Sequence, residues 1–219
     1  DLGDPDALAA TVRAVAPQWI VNAAAYTAVD RAESEPDLAR LVNATAVGAL
    51  ARAAHASHAW LVHYSSDYVF DGSGETGWRE DDPTAPLGTY GRSKLEGEKL
   101  VQASGCRHLI LRTSWVHAAR GSNFVRTMLR LARERDSLRV VADQIGAPTG
   151  AELIADVTAH AILRAASRPE LGGTYHVAAS GEASWNAVAR HAIARARERG
   201  APVRVADAAI EAITSAAYP

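Results

Sequence analysis

The sequence holds one cysteine, Cys106, so no disulfide can close within the chain, and a reducing, cytoplasmic setting is the expectation. Cys106 itself reads as a small core residue ahead of a strand. Long apolar runs are missing too: none approaches the roughly 20 residues that span a bilayer, and no basic-then-apolar leader opens the chain. No membrane association is therefore expected. Charge of one sign is scarce, since 23 basic and 25 acidic residues leave a net charge of −2. Without a broad basic field, nucleic acid is not an expected partner. The Arg-rich stretch from Arg190 to Arg199 reads as the solvated face of a helix. Internal repeats and low-complexity tracts are absent, so neither a repeat array nor a disordered tract is expected. Methionine occurs once, at Met128, and the chain opens on Asp1-Leu2-Gly3-Asp4, which predicts a piece of a longer protein.

What is present is a globular share of apolar residues, 48%, in alternating strand-like and helix-like stretches. Residues 5–15 read as a helix: Pro5 suits a first turn, and Leu8, Val12 and Val15 recur at helical spacing. Residues 19–23 are a short apolar run of the buried-strand type. A long alanine-rich helix is predicted over 36–56 and a strand over 60–65. Residues 67–88, rich in Gly, Asp and Pro, predict a loop. A helix at 90–103, a strand at 108–112 and a helix at 123–134 follow, the last with Phe124, Met128 and Leu131 on one face. A fourth strand is expected at 138–141. Then come a helix at 151–166, a strand at 174–177 and a helix at 185–199. This order implies an α/β fold with a doubly wound parallel sheet and helices on both faces. Ligands of such sheets lie beyond the carboxyl ends of the strands.

The chemistry-bearing residues lie there. Tyr90-Gly91-Arg92-Ser93-Lys94 places a phenol and an ammonium at i and i+4, on one face of a helix start. A nearby cation favours phenolate and lowers the tyrosine pKa, which would make Tyr90 a general acid near neutral pH. Alone, Tyr and Lys at this spacing also occur on ordinary amphipathic helices. Ser66, which ends the second strand 24 residues earlier, adds a hydroxyl able to donate to a substrate carbonyl; a plain Ser-Asp turn is the alternative. Gly72-Ser73-Gly74-Glu75-Thr76-Gly77 spells GxGxxG, but it leads into acidic Trp78–Pro83 and opens no helix, so it reads as a loop and not a dinucleotide fingerprint.

A Ser–Tyr–Lys set on a doubly wound sheet resembles the apparatus of the short-chain dehydrogenases/reductases. Residues 21–30, VNAAAYTAVD, are similar to the segment after the fourth strand of that family's cofactor domain. Residues 66–72, SDYVFDG, resemble "TDYVFDG", and residues 86–94, PLGTYGRSK, resemble "PLNVYGxTK". With Arg112–Val116 and Asp143–Thr149, the motifs span the chain nearly end to end and resemble, in order, those of the dTDP-4-dehydrorhamnose reductases, an extended branch of the family. Departures are few: Ser66 stands where threonine is common, and Tyr26 and His117 where other aromatic or imidazole side chains are common.

The resemblance implies a Rossmann-type dinucleotide-binding domain over 1–166 that lacks its first, Gly-rich unit. It also implies a smaller, incomplete substrate-binding lobe over 167–219. The implied activity is NADPH- or NADH-dependent reduction of dTDP-4-dehydro-6-deoxy-L-mannose to dTDP-L-rhamnose, with Tyr90, Lys94 and Ser66 catalytic and the 219-residue chain alone inactive. Asp1, Leu2, Ala25, Tyr26, Thr27, Tyr64, Tyr90 and Lys94 would meet the cofactor. Ser66, Asp67, Tyr68 and Trp115 would contact the nucleotide sugar, although Trp115 also reads as a core aromatic. Some family members share magnesium across a homodimer interface, and Glu152 matches one ligand position; an exposed helix-start carboxylate is the other reading. Two alternatives stay open: a nucleotide-binding subunit without turnover, like the regulatory subunit of methionine adenosyltransferase, and another nucleotide-sugar reductase or epimerase.

Overall fold

The computed structural model describes residues 1–218. In chain order its elements are α1 (Pro5–Val15), β1 (Trp19–Asn22), α2 (Val29–Ala32), α3 (Pro36–Arg40), α4 (Ala46–Ala56), β2 (Trp60–Ser66), α5 (Thr89–Ala103), β3 (Arg107–Thr113) and β4 (Val116–His117). They continue with α6 (Phe124–Glu134), β5 (Leu138–Val141), β6 (Ile145–Gly146), β7 (Thr149–Gly150), α7 (Ala151–Ser167), β8 (Gly173–Val177), β9 (Ala183–Ser184), α8 (Trp185–Glu198) and β10 (Ile210–Ile213). No helix among the described residues is long and apolar enough to cross a membrane.

Two compact units emerge. The first comprises Asp1–Thr113 with Ala159–Val177. Its frame is a four-stranded parallel sheet in the order β1-β2-β3-β8. β2 lies between two neighbours, and nearly all its side chains are buried, as a central parallel strand requires. Val47, Ala51 and Ala54 of α4 pack with Leu61, Ile110, Val101 and Cys106 into its core. Small residues on α4 let the helix lie close to the sheet. α1 starts at Asp4, whose carboxylate accepts the Ala7 N–H at 3.0 Å, with Pro5 in the first turn.

The second unit comprises Ser114–Thr158 and the chain from Ala178 on. Its core joins Ala132, Leu138, Val140, Ala189, Ile193, Val205 and Ile210, with Phe124, Met128 and Trp185 half-buried around them. Three two-stranded pairings, β5 with β10, β4 with β7 and β6 with β9, build it.

Two expectations need correction. Leu138–Val141 is a strand, but it pairs in parallel with Ile210–Ile213 and not in the main sheet. Its apolar residues are covered by α6 and α8, so burial holds it in the second unit. Gly173–Val177 takes the fourth place in the main sheet, beside β3. Finally, the helix expected over 36–56 is broken by a π-helical turn at Leu41–Thr45.

Candidate active site

β2 delivers Ser66 to its carboxyl end, where the chain turns into a short 3₁₀ helix, Asp67–Val69. The Ser66 hydroxyl caps that turn: it accepts the Tyr68 N–H at 3.2 Å and donates to Asp67 Oδ1 at 2.8 Å. α5 brings Tyr90 to the same place, and the Tyr90 phenol shares a hydrogen bond with Ser66. Tyr68 meets the Tyr90 ring edge-on, with centroids 5.5 Å apart. One turn along α5, Lys94 is 2% exposed, and its Nζ donates to the Tyr64 carbonyl at 2.7 Å. Ser66, Asp67, Tyr68, Tyr64, Tyr90 and Lys94 are thus brought together.

The position of α5 follows from contacts at its start. Its cap residue, Gly88, has no side chain, and the cap is borrowed: Glu33 accepts the Thr89 N–H at 2.7 Å and the Thr89 hydroxyl at 2.8 Å. These bonds hold the Glu33 carboxyl below its usual range. Gly91 lies directly against the Ser66–Val69 turn, where a Cβ would come within 2.1 Å of the Tyr68 carbonyl oxygen. Gly91→Ala is therefore expected to push helix and turn apart and to cost about 1–3 kcal/mol of stability. It should also lower kcat tenfold or more, because displacement of a reacting group by about 1 Å can cost two orders of magnitude. Melting curves and steady-state kinetics check this; an unchanged kcat would show that the close approach does not set Tyr90's position.

The electrostatics differ from the sequence expectation. Tyr90 was expected to be lowered by Lys94, yet burial pushes it up to about 12, with the Asp67 carboxylate adding to the rise and the Ser66 hydrogen bond opposing it. Lys94 is turned onto the Tyr64 carbonyl. Burial also pulls the Lys94 ammonium down to about 8, with Glu98 opposing. His63, fully buried, is held well below its usual value by desolvation and then by the Lys94 charge. Its Nδ1 accepts from Asn22 Nδ2 at 3.2 Å, as expected of a neutral ring.

The Lys94 shift has a consequence for stability. A lysine whose folded pKa is depressed loses its proton earlier in the folded state, so the unfolded chain binds more protons between about 8 and the ordinary lysine value. The penalty for burying the ammonium is fully present below about pH 8 and is relieved as pH rises. We expect the stability of the wild type relative to Lys94→Met to rise by about 2 kcal/mol between pH 8 and pH 10. Urea unfolding of both proteins across that range measures it, and parallel pH profiles would contradict it.

The loop after β1 is held by a residue that sequence reasoning missed. Asn43, fully buried in the π turn, accepts the Tyr26 N–H at 2.9 Å and donates to the Tyr26 carbonyl and to Ser93 Oγ, both at 3.0 Å. Ser93 in turn donates to the Tyr90 carbonyl at 2.8 Å. One amide thus joins the 25–27 loop to the helix that carries Tyr90 and Lys94. A lone asparagine inside an alanine-rich helix was the available signal, since asparagine is unfavourable there without a partner. Tyr26 is fixed further by its hydroxyl, which donates to Glu35 at 2.6 Å. Ala25 is half-buried and Thr27 exposed beside it.

Other expected residues lie elsewhere. Leu2 packs against Val12, Leu50 and Ala53, and the exposed Asp1 accepts the Gly3 N–H. Gly72–Gly77 is irregular loop, with Gly72 and Gly74 at positive φ, and α5 starts only at Thr89. Trp115 lies in the second unit, half-buried and stacked on Trp185. Glu152 is exposed, and among the described residues no three His, Cys, Asp or Glu side chains cluster to hold a metal. One surface carboxylate does not fit a magnesium site within the chain.

Comparison with known proteins bears on the whole chain. The family model described as RmlD substrate binding domain matches residues 1–219. The dTDP-4-dehydrorhamnose reductase of Escherichia coli (strain K12) is 52% identical over 219 residues, covering 100% of this chain and 73% of that protein. The crystal structure of the Bacillus anthracis dTDP-4-dehydrorhamnose reductase in complex with NADP superposes with a TM-score of 0.86 at 36% identity, covering 99% of this chain and 72% of that one. The Clostridium acetobutylicum structure, an ortholog of that reductase, gives a TM-score of 0.87 at 35% identity, covering 100% of this chain and 73% of that one.

Proposed function

This chain belongs to the RmlD substrate binding domain family, the dTDP-4-dehydrorhamnose reductases, and we propose that Ser66, Tyr90 and Lys94 carry that family's reaction in it. The activity is NAD(P)H-dependent reduction of the C4 ketone of dTDP-4-dehydrorhamnose, which gives dTDP-L-rhamnose. The observation that supports the residue assignment is the meeting of a strand-end serine, a buried tyrosine and a buried lysine at one strand terminus.

The donor set fits the nicotinamide-ribose end of a dinucleotide. Lys94 offers an ammonium on the first turns of α5, and the loop offers Ala25 and Thr27, small residues on either side of the Tyr26 backbone that Asn43 holds. A reduced nicotinamide, when bound, supplies hydride to the C4 carbon. Tyr90 delivers its proton to the C4 oxygen. A phenol held near 12 is protonated at all neutral pH values, and an alkoxide is a stronger base than any phenolate, so the transfer runs downhill. Ser66 turns its hydroxyl proton from Asp67 to the carbonyl and polarises it. Lys94 holds the ribose and stabilises the phenolate left on Tyr90 until it is reprotonated. Asp67 and Tyr68, and separately Trp115, are the residues we assign to contacts with the nucleotide sugar. We assign the dinucleotide to the sheet-bearing first unit and the sugar lobe to the second. Cys106, free and buried, accords with a reducing cytoplasm.

The test is an assay of the whole protein with dTDP-4-dehydrorhamnose and NADPH, following NADPH loss and identifying the product. Absence of turnover on this sugar would overturn the reading.

A further inference from the structure

Trp115 stands in an unfavourable backbone conformation. Its φ is 44°, in the left-handed region that non-glycine residues rarely enter. Something must hold it there, and three features of the second unit do so. The Trp115 ring lies flat on Trp185, with centroids 3.5 Å apart and planes within 8°. The indole also lies against Gly146, where a Cβ would come within 2.5 Å of it, so only glycine leaves room. Its carbonyl accepts the Thr149 N–H at 3.3 Å, in the β4–β7 pairing.

Trp185 is fixed in turn. Its indole N–H donates to Gln144 Oε1 at 3.1 Å, and Gln144 Nε2 donates to Ser215 at 3.0 Å. Phe124 leans on its ring with centroids 4.4 Å apart. Asp143 accepts both the N–H and the hydroxyl of Ser215, at 2.9 and 2.8 Å. The 143–149 segment thus gains a physical account: Asp143 and Gln144 fix the Ser215 turn and Trp185, Gly146 makes space, and Thr149 holds the Trp115 backbone.

We propose that Trp185 is a positioning residue that sets the affinity for the nucleotide sugar by holding Trp115 in its strained conformation. The proposal rests on the assignment of Trp115 to the sugar site. A preformed aromatic plate binds without first losing rotamer freedom, so its support acts on binding and not on the chemical step. Trp185 touches no substrate in this account.

The test uses the whole protein and the KM values for dTDP-4-dehydrorhamnose and NADPH. Trp185→Leu keeps an apolar side chain at that position, though a smaller one, and removes the stack. It should raise KM for the nucleotide sugar about three- to tenfold, the size of one aromatic contact, with kcat and the NADPH KM unchanged. Trp185→Phe should restore most of the affinity. Combined with Trp115→Ala, Trp185→Leu should add nothing further. If Trp115→Ala raises the sugar KM while Trp185→Leu does not, or if the two effects add fully, the positioning role is overturned. If Trp115→Ala itself leaves the sugar KM unchanged, the underlying assignment falls and this role falls with it. A Trp185→Leu protein too unstable to assay leaves Trp185→Phe to decide: a sugar KM raised as far as that of Trp115→Ala would also overturn the proposal.

Discussion

Tyr90→Phe is expected to lose about 10²–10⁴ in kcat while keeping most of its affinity for nucleotide sugar and cofactor. The substitution removes one oxygen. The ring remains to meet Tyr68 edge-on, and Gly91 still abuts the Tyr68 carbonyl, so the position of α5 is kept. What disappears is the hydroxyl proposed as proton donor and its hydrogen bond with Ser66. Because the loss lies in the transition state, kcat and kcat/KM should fall together. The pH dependence separates this from a structural effect. With Tyr90 near 12 and Lys94 near 8, the wild type should lose activity on the alkaline side through the lysine first, whose ammonium supports the developing phenolate. Tyr90→Phe should lack a phenolate for that ammonium to support, so its residual rate should depend less on the titration near 8. Steady-state kinetics from pH 6 to pH 10 measure both points. Near-normal turnover by Tyr90→Phe would refute the assignment of the proton donor.

Much of this site was legible because its members follow local rules. Tyr90 and Lys94 are linked by helical periodicity, and Ser66 by its place at the end of an apolar run; both are short-range patterns that survive without knowledge of the fold. Asn43 was not legible in the same way. Its work consists of bonds to Tyr26 and to Ser93, the latter 50 residues away, and it depends on a π turn that no residue preference marks. The borrowed cap from Glu33 to Thr89 spans 56 residues and has the same character. The fold shows a similar division. Strand and helix positions followed from apolar spacing, but the partner of Leu138–Val141 did not, because pairing is decided by which helices cover a strand. The direction of the Tyr90 shift was misread for a related reason. The i, i+4 rule brings Lys94 close, but burial depth and the Tyr64 carbonyl that takes the ammonium are properties of the assembled sheet.

The largest stability effect is expected at a buried ion pair behind the site. Arg112 of β3 is 6% exposed and Glu98 of α5 is 1% exposed. The guanidinium donates to both carboxylate oxygens, with Nε to Oε1 at 3.0 Å and Nη2 to Oε2 at 2.8 Å. Its Nη1 donates to the Glu80 carbonyl at 3.1 Å, and its central carbon lies over the Phe70 ring at 5.1 Å. Phe70 stacks on Trp78, and the Glu80 carboxylate accepts the His176 N–H of β8 at 2.9 Å. One guanidinium therefore ties α5, β3 and the 70–82 loop together. Desolvation of both charges means that the pair adds little net stability as a pair, but removing one partner strands the other. Arg112→Met should destabilise by about 3–5 kcal/mol, a fall in Tm of roughly 6–20 °C. The double variant Arg112→Met, Glu98→Leu should recover part of that loss, since it strands neither member of the pair, although the buried Lys94 ammonium then lacks the Glu98 carboxylate that favours it. The Glu80 carbonyl would still lack its donor, so recovery should be incomplete. Thermal and urea unfolding of the two single variants and the double variant form the cycle. If the single losses simply add in the double variant, the two charges are not compensating each other, and the pair is not what holds α5 against β3.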